Sequence, residues 1–310
     1  MKIAFVFPGQ GSQSVGMLAP FAGNAAVDDV VRRASATLGQ DLGKLMAEGP
    51  ADELNLTVNT QPCMLTAAYA VFAAWRAAGG GMPDVMAGHS LGEYTALTVA
   101  GALRLEDAVA LVRFRAQAMQ DAVPVGSGGM AAILGLSDEQ VRQACAEAAG
   151  AEVVEAVNFN APAQVVIAGH KGAVARACEV AKRLGAKRAL PLPVSAPFHS
   201  SLLKPASERL RERLAAVDLR APQVPVINNI DVVSETDPAR IRDALARQAA
   251  GPVRWAETIA KMAADGVTHV VEIGPGKVLS GLTRRIAPDV ESLAIGDPAS
   301  LQDALARLRV

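Results

Sequence analysis

The chain has 310 residues, 51% of them hydrophobic and 20% charged, with a formal net charge of −1. That length can bury one large or two modest cores, and a charge balance so even gives no reason to expect nucleic acid as a partner. Three scattered cysteines, Cys63, Cys145 and Cys178, lack C-x-x-C spacing, so neither a disulfide framework nor a metal site is expected, and no apolar run nears the ~20 residues of a membrane span. A cytoplasmic protein with no membrane partner is the expectation, and a monomer, since no surplus apolar surface helix is evident.

Residues 2–7 read as a buried strand that runs into the loop Pro8-Gly9-Gln10-Gly11-Ser12-Gln13. Helical patterns follow over 24–38 and 61–78. After the glycines at 79–81, Val85-Met86-Ala87 reads as a short apolar strand, and at Gly88-His89-Ser90-Leu91-Gly92 it gives way to a helix beginning near Glu93. A strand-to-helix turn tight enough to lift a serine hydroxyl crowds the backbone on both sides, which is why glycine is needed two positions before and two after. The helix that follows aims unpaired N–H groups and its positive dipole end at the hydroxyl, and Leu91 N–H would be the first to meet an oxyanion.

The texture changes at Gly126-Ser127-Gly128-Gly129. From there the order is strand 131–134, helix 138–149, strand 152–158, strand 164–168, helix 172–184, strand 188–193, a β-α-β-β-α-β pattern of ferredoxin-like type. Helix 206–217, strand 224–228, helices 238–247 and 255–264 and strand 269–273 then resume the alternation that implies a parallel sheet covered on both faces. The expected organisation is therefore residues 1–127 and 195–310 as the main α/β domain and 128–194 as an inserted subdomain.

A serine nucleophile needs a base, and the chain has four histidines. His89 adjoins Ser90 at a strand end and should point away from the hydroxyl. His170 and His269 sit in or at the end of strands and read as structural. His199 lies in the proline-stiffened loop Ala196-Pro197-Phe198-His199-Ser200, the usual place for reactive side chains on an α/β scaffold, and is the candidate base. No Asp or Glu is singled out as a third member. Between Glu106 and Met119 the helical apolar stripe Ala108, Leu111, Val112 and Met119 also takes in Arg115, which puts a guanidinium on a buried face. Its partner is either an internal carboxylate or an anionic substrate. Neither glycine loop binds a nucleotide: Gly9-Gln10-Gly11 leads to Ser14 where the dinucleotide fingerprint needs glycine, and Gly274-Pro275-Gly276-Lys277 has Val278 where a Walker loop needs Ser or Thr.

Four ordered motifs, Phe7-Pro8-Gly9-Gln10-Gly11-Ser12-Gln13, Gly88-His89-Ser90-Leu91-Gly92-Glu93, Pro197-Phe198-His199 and Glu272-Ile273-Gly274-Pro275-Gly276, span essentially the whole chain. Together they resemble the malonyl-CoA:acyl carrier protein transacylases of bacterial type II fatty acid synthesis. The resemblance implies an α/β-hydrolase-like domain with an inserted ferredoxin-like subdomain, malonyl-CoA and acyl carrier protein as partners, and no bound cofactor. It also implies Ser90 as nucleophile, His199 as base, the N–H groups of Gln10 and Leu91 as oxyanion hole, Arg115 as the grip on the malonyl carboxylate, and the Gln248 carbonyl as the group orienting His199. Leu91 and Phe198 are the forms that accompany malonyl over methylmalonyl selection in related acyltransferases. An acidic carrier would need a local basic patch on so neutral a chain, and Lys187-Arg188 and Arg284-Arg285 are the candidate docking pairs. A serine esterase or thioesterase is the competing enzyme reading, and a general esterase has no use for the buried cation of Arg115. Transfer to a polyketide or malonate-decarboxylase carrier is the other alternative.

Overall fold

A computed structural model describes residues 1–194 and 196–308. The second residue of the expected junction at 194/195 lies outside them, as do the last two residues, 309 and 310. The first strand, β1 (Ile3–Phe7), is buried at every position and leads into α1 (Ala25–Leu38), α2 (Leu42–Glu48), α3 (Ala51–Asn55) and α4 (Thr57–Ala77). Next come β2 (Val85–Gly88), α5 (Leu91–Val99) and α6 (Leu105–Asp121). The middle of the chain is β3 (Gly128–Leu134), α7 (Asp138–Ala149), β4 (Val154–Ala161), β5 (Gln164–His170), α8 (Lys171–Arg183) and β6 (Arg188–Pro191). It closes with α9 (Lys204–Ala215), β7 (Val226–Ile227), α10 (Pro238–Gln248), α11 (Trp255–Ala264), β8 (His269–Ile273), α12 (Val278–Ile286), β9 (Glu291–Ile295) and α13 (Pro298–Leu308).

The strands form two sheets. One is five-stranded, in the order β7-β2-β1-β8-β9, and every pairing in it is parallel. Helices cover both of its faces, as the continuous apolar run of β1 requires. The other is four-stranded and antiparallel, in the order β4-β5-β3-β6, and carries α7 and α8. It has its own hydrophobic cluster, drawn from residues between Ala131 and Ala189 and including Ile133, Val141, Phe159, Val165 and Val174. The β-α-β-β-α-β order read from the sequence is thus the architecture of this middle segment.

Some boundaries differ from expectation. Helix α4 begins at Thr57, not at 61, and runs through Pro62. A proline invites a helix start beside it, but α4 is buried nearly all round, so packing outweighs the lost hydrogen bond. Thr60 Oγ returns a bond to the Leu56 carbonyl at 3.0 Å, tying down that early turn. Strand β7 has two residues where five were read, and β4 starts two residues later and runs three further than expected. The short α2 and α3, and β9 and α13 at the end, have no counterpart among the expected elements. Among the described residues no helix is long and apolar enough to cross a membrane.

Candidate active site

Ser90 stands between β2 and α5 with φ 51° and ψ −109°, a left-handed backbone that a non-glycine residue adopts only where its surroundings impose it. The surroundings are visible. A Cβ added at Gly88 would fall 1.8 Å from the Gly92 carbonyl carbon, and one at Gly92 would fall 2.1 Å from the Phe7 carbonyl oxygen. On the β1 side, a Cβ at Gly9 would meet the His89 carbonyl oxygen at 2.5 Å. Three backbones therefore converge around the serine, and glycine is the only residue that fits at each.

The loop before α9 brings His199, also at positive φ (66°), against this turn. Its Nε2 lies 2.7 Å from Ser90 Oγ, and its Nδ1 lies 2.8 Å from the carbonyl oxygen of Gln248, the last residue of α10. A carbonyl can only accept, so Nδ1 carries the proton and Nε2 presents its lone pair to the serine. Burial, and then the nearby Arg115 charge, depress the imidazole pKa to about 3, which leaves it neutral near pH 7. Among the described residues no other histidine reaches Ser90. His89 Nε2 faces Asn160 Oδ1 at 2.7 Å, His170 Nδ1 accepts from Val153 N–H at 2.9 Å, and His269 pairs with Glu291 at 3.1 Å.

Arg115 projects from α6 and is 2% exposed. Its guanidinium donates to Gln61 Oε1 at 2.7 Å, to Gln248 Oε1 at 2.9 Å and to Ser90 Oγ at 3.0 Å, and lies over the Tyr94 ring at 5.3 Å from the centroid. Among the described residues no carboxylate lies within ion-pair distance of it, and its buried Nε–H has no hydrogen-bond partner. Of the two partners the sequence left open, a directly paired internal carboxylate is not the one found.

Gln10, Ser90, Leu91, Arg115, Phe198 and His199 line one cavity of about 110 Å³. That is small beside the roughly 300–1,000 Å³ of a site for drug-sized ligands, and it suits a short acyl group. Leu91 is the first residue of α5, so its N–H has no partner four residues back within the helix. The Gln10 side chain is tied back through Thr57 Oγ at 2.7 Å. A hydroxyl held between a neutral imidazole and a buried cation, at a helix N-terminus, can be deprotonated as it attacks a carbonyl and can shelter the resulting charge.

Sequence reasoning did not single out Asn229, Gln61 or the environment of Glu93. Asn229 Oδ1 accepts from Ser90 N–H at 2.7 Å, and its Nδ2 donates to the Gly88 carbonyl at 2.8 Å, bracing the turn. Its signal was its position, just past a strand that ends beside β2, where sites on parallel sheets gather. For Glu93 the signal was a lone charge in the otherwise uncharged helix Leu91–Val99.

The four basic docking candidates are all exposed. Arg188 on β6 pairs with Leu134 on β3, and Leu134 pairs with Gln164 on β5. Arg285 bonds the Gln164 side chain and donates to the Pro162 carbonyl at 2.9 Å. Lys187, Arg188 and Arg285 therefore gather at one end of the four-stranded sheet, and Arg284, next to Arg285 in α12, turns to the Ser292 carbonyl of β9 at 3.4 Å. Met130, four residues back along β3, lines the cavity, so this end lies about 13 Å away at ~3.3 Å per residue.

The chain belongs to the acyl transferase family, whose domain model matches residues 4–293. Within it the chain is 55% identical over 305 residues to the malonyl CoA-acyl carrier protein transacylase of Salmonella typhimurium, covering 98% of this chain and 99% of the relative. It is 46% identical to the Bacillus subtilis transacylase of the same name, over 99% and 98% of the two chains. The crystal structure of an acyl-carrier-protein S-malonyltransferase from Burkholderia pseudomallei superposes with a TM-score of 0.97 at 68% identity, over 99% of this chain and 100% of that one.

Proposed function

We propose that this acyltransferase moves the malonyl group from malonyl-CoA to the phosphopantetheine thiol of acyl carrier protein through a malonyl ester on Ser90. The observation that carries this reading is Arg115: a buried cation, with no carboxylate of its own and an idle Nε–H, lies within hydrogen-bond reach of the candidate nucleophile. Such a group awaits an anion on the acyl chain, and malonate supplies a carboxylate two carbons beyond the reacting carbonyl.

In this mechanism His199 Nε2 takes the Ser90 proton as Oγ bonds to the thioester carbon. The oxyanion is received by Leu91 N–H and Gln10 N–H, and its collapse expels the coenzyme A thiolate, which leaves as the thiol with the proton from His199. The Gln248 carbonyl holds the imidazole tautomer throughout. The carrier thiol then gives its proton to His199 and attacks the ester carbon. Ser90 departs as an alkoxide and recovers the proton, which makes the exchange ping-pong with no bound cofactor. The basic cluster at the sheet end, Lys187, Arg188 and Arg285 with Arg284 beside it in α12, receives the carrier's acidic surface. The structure of a malonyl-transacylase 48% identical to this chain has been solved in complex with its type II PKS acyl-carrier protein, which favours a polyketide carrier as the second reading of the acceptor.

Brief exposure to malonyl-CoA followed by mass spectrometry tests the first half-reaction. A malonyl adduct on the peptide containing Ser90 is expected, and an adduct that persists in Ser90→Ala would overturn the assignment. Transfer rates to purified fatty-acid and polyketide carriers decide the acceptor.

A further inference from the structure

Among the described residues Glu93 is the one buried carboxylate in contact with this network, and the mechanism above does not use it. It lies on α5, one turn after Ser90, and is 2% exposed. Its Oε2 accepts from Gln248 Nε2 and from Asn229 N–H, each at 2.9 Å. The far end of the same Gln248 carboxamide accepts from Arg115 at 2.9 Å, and Gln248 Nε2 also reaches the Ser90 carbonyl at 3.1 Å. We propose that Glu93 is a positioning residue for acyl-group selection, whose carboxylate fixes the direction of the Gln248 carboxamide and thereby holds the Arg115 guanidinium where it meets a substrate carboxylate. The proposal rests on the reading of Arg115 as the carboxylate grip.

Polarity fixes the orientation of Gln248. A carboxamide has a donating end and an accepting end, a guanidinium only donates, and a carboxylate only accepts. Gln248 sits between the two, so only one of its orientations satisfies both neighbours. The reverse would set its NH₂ against Arg115 and its oxygen against the Glu93 carboxylate, the Ser90 carbonyl and, at 3.4 Å, Asn229 Oδ1, four like-with-like contacts in a buried site. Without Glu93, only the two longer bonds, to the Ser90 carbonyl and to Asn229 Oδ1, would favour the observed direction. The second bond of the same oxygen, from Asn229 N–H, supports the residue whose side chain holds Ser90 N–H and the Gly88 carbonyl. Arg115 is braced on its other side by Gln61 and Tyr94, so the Gln248 oxygen is the contact whose orientation depends on Glu93. A malonyl group requires the guanidinium in place, whereas an acetyl group has no carboxylate to present.

The test is the ratio of kcat/KM for malonyl-CoA over acetyl-CoA in acylation of the full-length enzyme. In Glu93→Ala the malonyl value should fall about tenfold or more, mainly through KM, while the acetyl value changes less than about threefold. Glu93→Gln can place an oxygen where Oε2 stands, and should restore the ratio to within about threefold of wild type. Equal losses for both donors in Glu93→Ala, or Glu93→Gln no better than Glu93→Ala, would overturn the proposal. Should Glu93→Ala fail to fold, Gln248→Met carries the test, because it removes the bridging carboxamide and keeps the main-chain carbonyl that faces His199. It should lower the malonyl-to-acetyl ratio by a similar factor, whatever it does to the two values together, and a wild-type ratio would overturn the proposal. Arg115→Ala separates the two readings: a collapsed ratio there with an intact one in Glu93→Ala overturns the role of Glu93 alone, and an intact ratio in Arg115→Ala overturns the carboxylate grip and this proposal with it.

Discussion

The Arg115 guanidinium donates to the Ser90 hydroxyl at 3.0 Å, so the cation of the pocket touches the candidate nucleophile directly. Burial opposes the charge and lowers the arginine pKa, while the Tyr94 ring and the polar oxygens around it offset part of that cost. A carboxylate entering the site would complete the shell. In Arg115→Ala, acylation of Ser90 by malonyl-CoA should weaken by roughly 2–5 kcal/mol in transition-state free energy, and acetyl-CoA should react as well as before or better. Initial rates with both donors check this, and equal losses would make Arg115 a structural residue.

His199 gives a pH prediction. Burial and the Arg115 charge hold its pKa near 3 where an ordinary histidine has 6.5, so the base form persists through mildly acidic pH. Acylation of Ser90 by acetyl-CoA, which does not depend on the Glu93 carboxyl that burial pushes up to about 7, should therefore show no acid limb near pH 6.5 and should lose rate only well below pH 5. Replacing Arg115 by alanine removes a charge that disfavours imidazolium and should move the limb upward. Stability follows the same linkage. The unfolded chain takes up this proton near pH 6.5 and the folded one only near 3, so the contribution is complete above 6.5 and is lost as pH falls between those values. A limb at pH 6.5 in rapid-quench measurements would show that His199 is not held neutral as described.

Two helical glycines should respond to alanine with opposite signs. Glycine to alanine in a helix ordinarily stabilises by about 0.5–1 kcal/mol. Gly281, in α12, has open space where a Cβ would go, and Gly281→Ala should follow that rule. Gly92, in the first turn of α5, would set its Cβ 2.1 Å from the Phe7 carbonyl oxygen, a backbone atom of a central strand. Gly92→Ala should destabilise by about 3 kcal/mol or more and slow acylation, because the turn must open to admit the methyl group. Chemical denaturation of the two variants makes the comparison.

Those glycines also show why parts of the site were legible in the sequence. Gly88 and Gly92 betray a crowded turn because no other residue could occupy it, and Arg115 stands out because helical spacing places it among apolar neighbours. The order β3-α7-β4-β5-α8-β6 was readable because each element carries its own apolar pattern. The limits of α4 and β7 were not, since burial by distant parts of the chain carries α4 through Pro62 and leaves β7 two residues long. Asn229 and Gln61 escaped notice because a polar residue that braces a turn has the same sequence appearance as one facing solvent. Only the fold brings Asn229 to the Ser90 amide across 139 residues of chain.

The last prediction concerns the carrier. Lys187 and Arg188 lie at the same sheet end as Arg285, with Arg284 beside it in α12, although nearly a hundred residues separate the pairs, because Leu134 and Gln164 link β6 to the hairpin that Arg285 grips. Arg285 also supports that hairpin through Pro162, so it is left intact in the test. Lys187, Arg188 and Arg284 are exposed, and a charge reversal at each should leave the fold unchanged. If this end receives an acidic carrier, Lys187→Glu, Arg188→Glu and Arg284→Glu combined should raise the carrier KM on the order of tenfold at low ionic strength. Added salt, which screens exposed charges beyond about 10 Å at 0.1 M, should narrow the gap from wild type. Hydrolysis of malonyl-CoA without carrier should be unaffected, since Lys187 and Arg188 lie some 13 Å along the sheet from the cavity and Arg284 does not line it. A carrier KM that stays at the wild-type value in low salt would place the docking surface elsewhere.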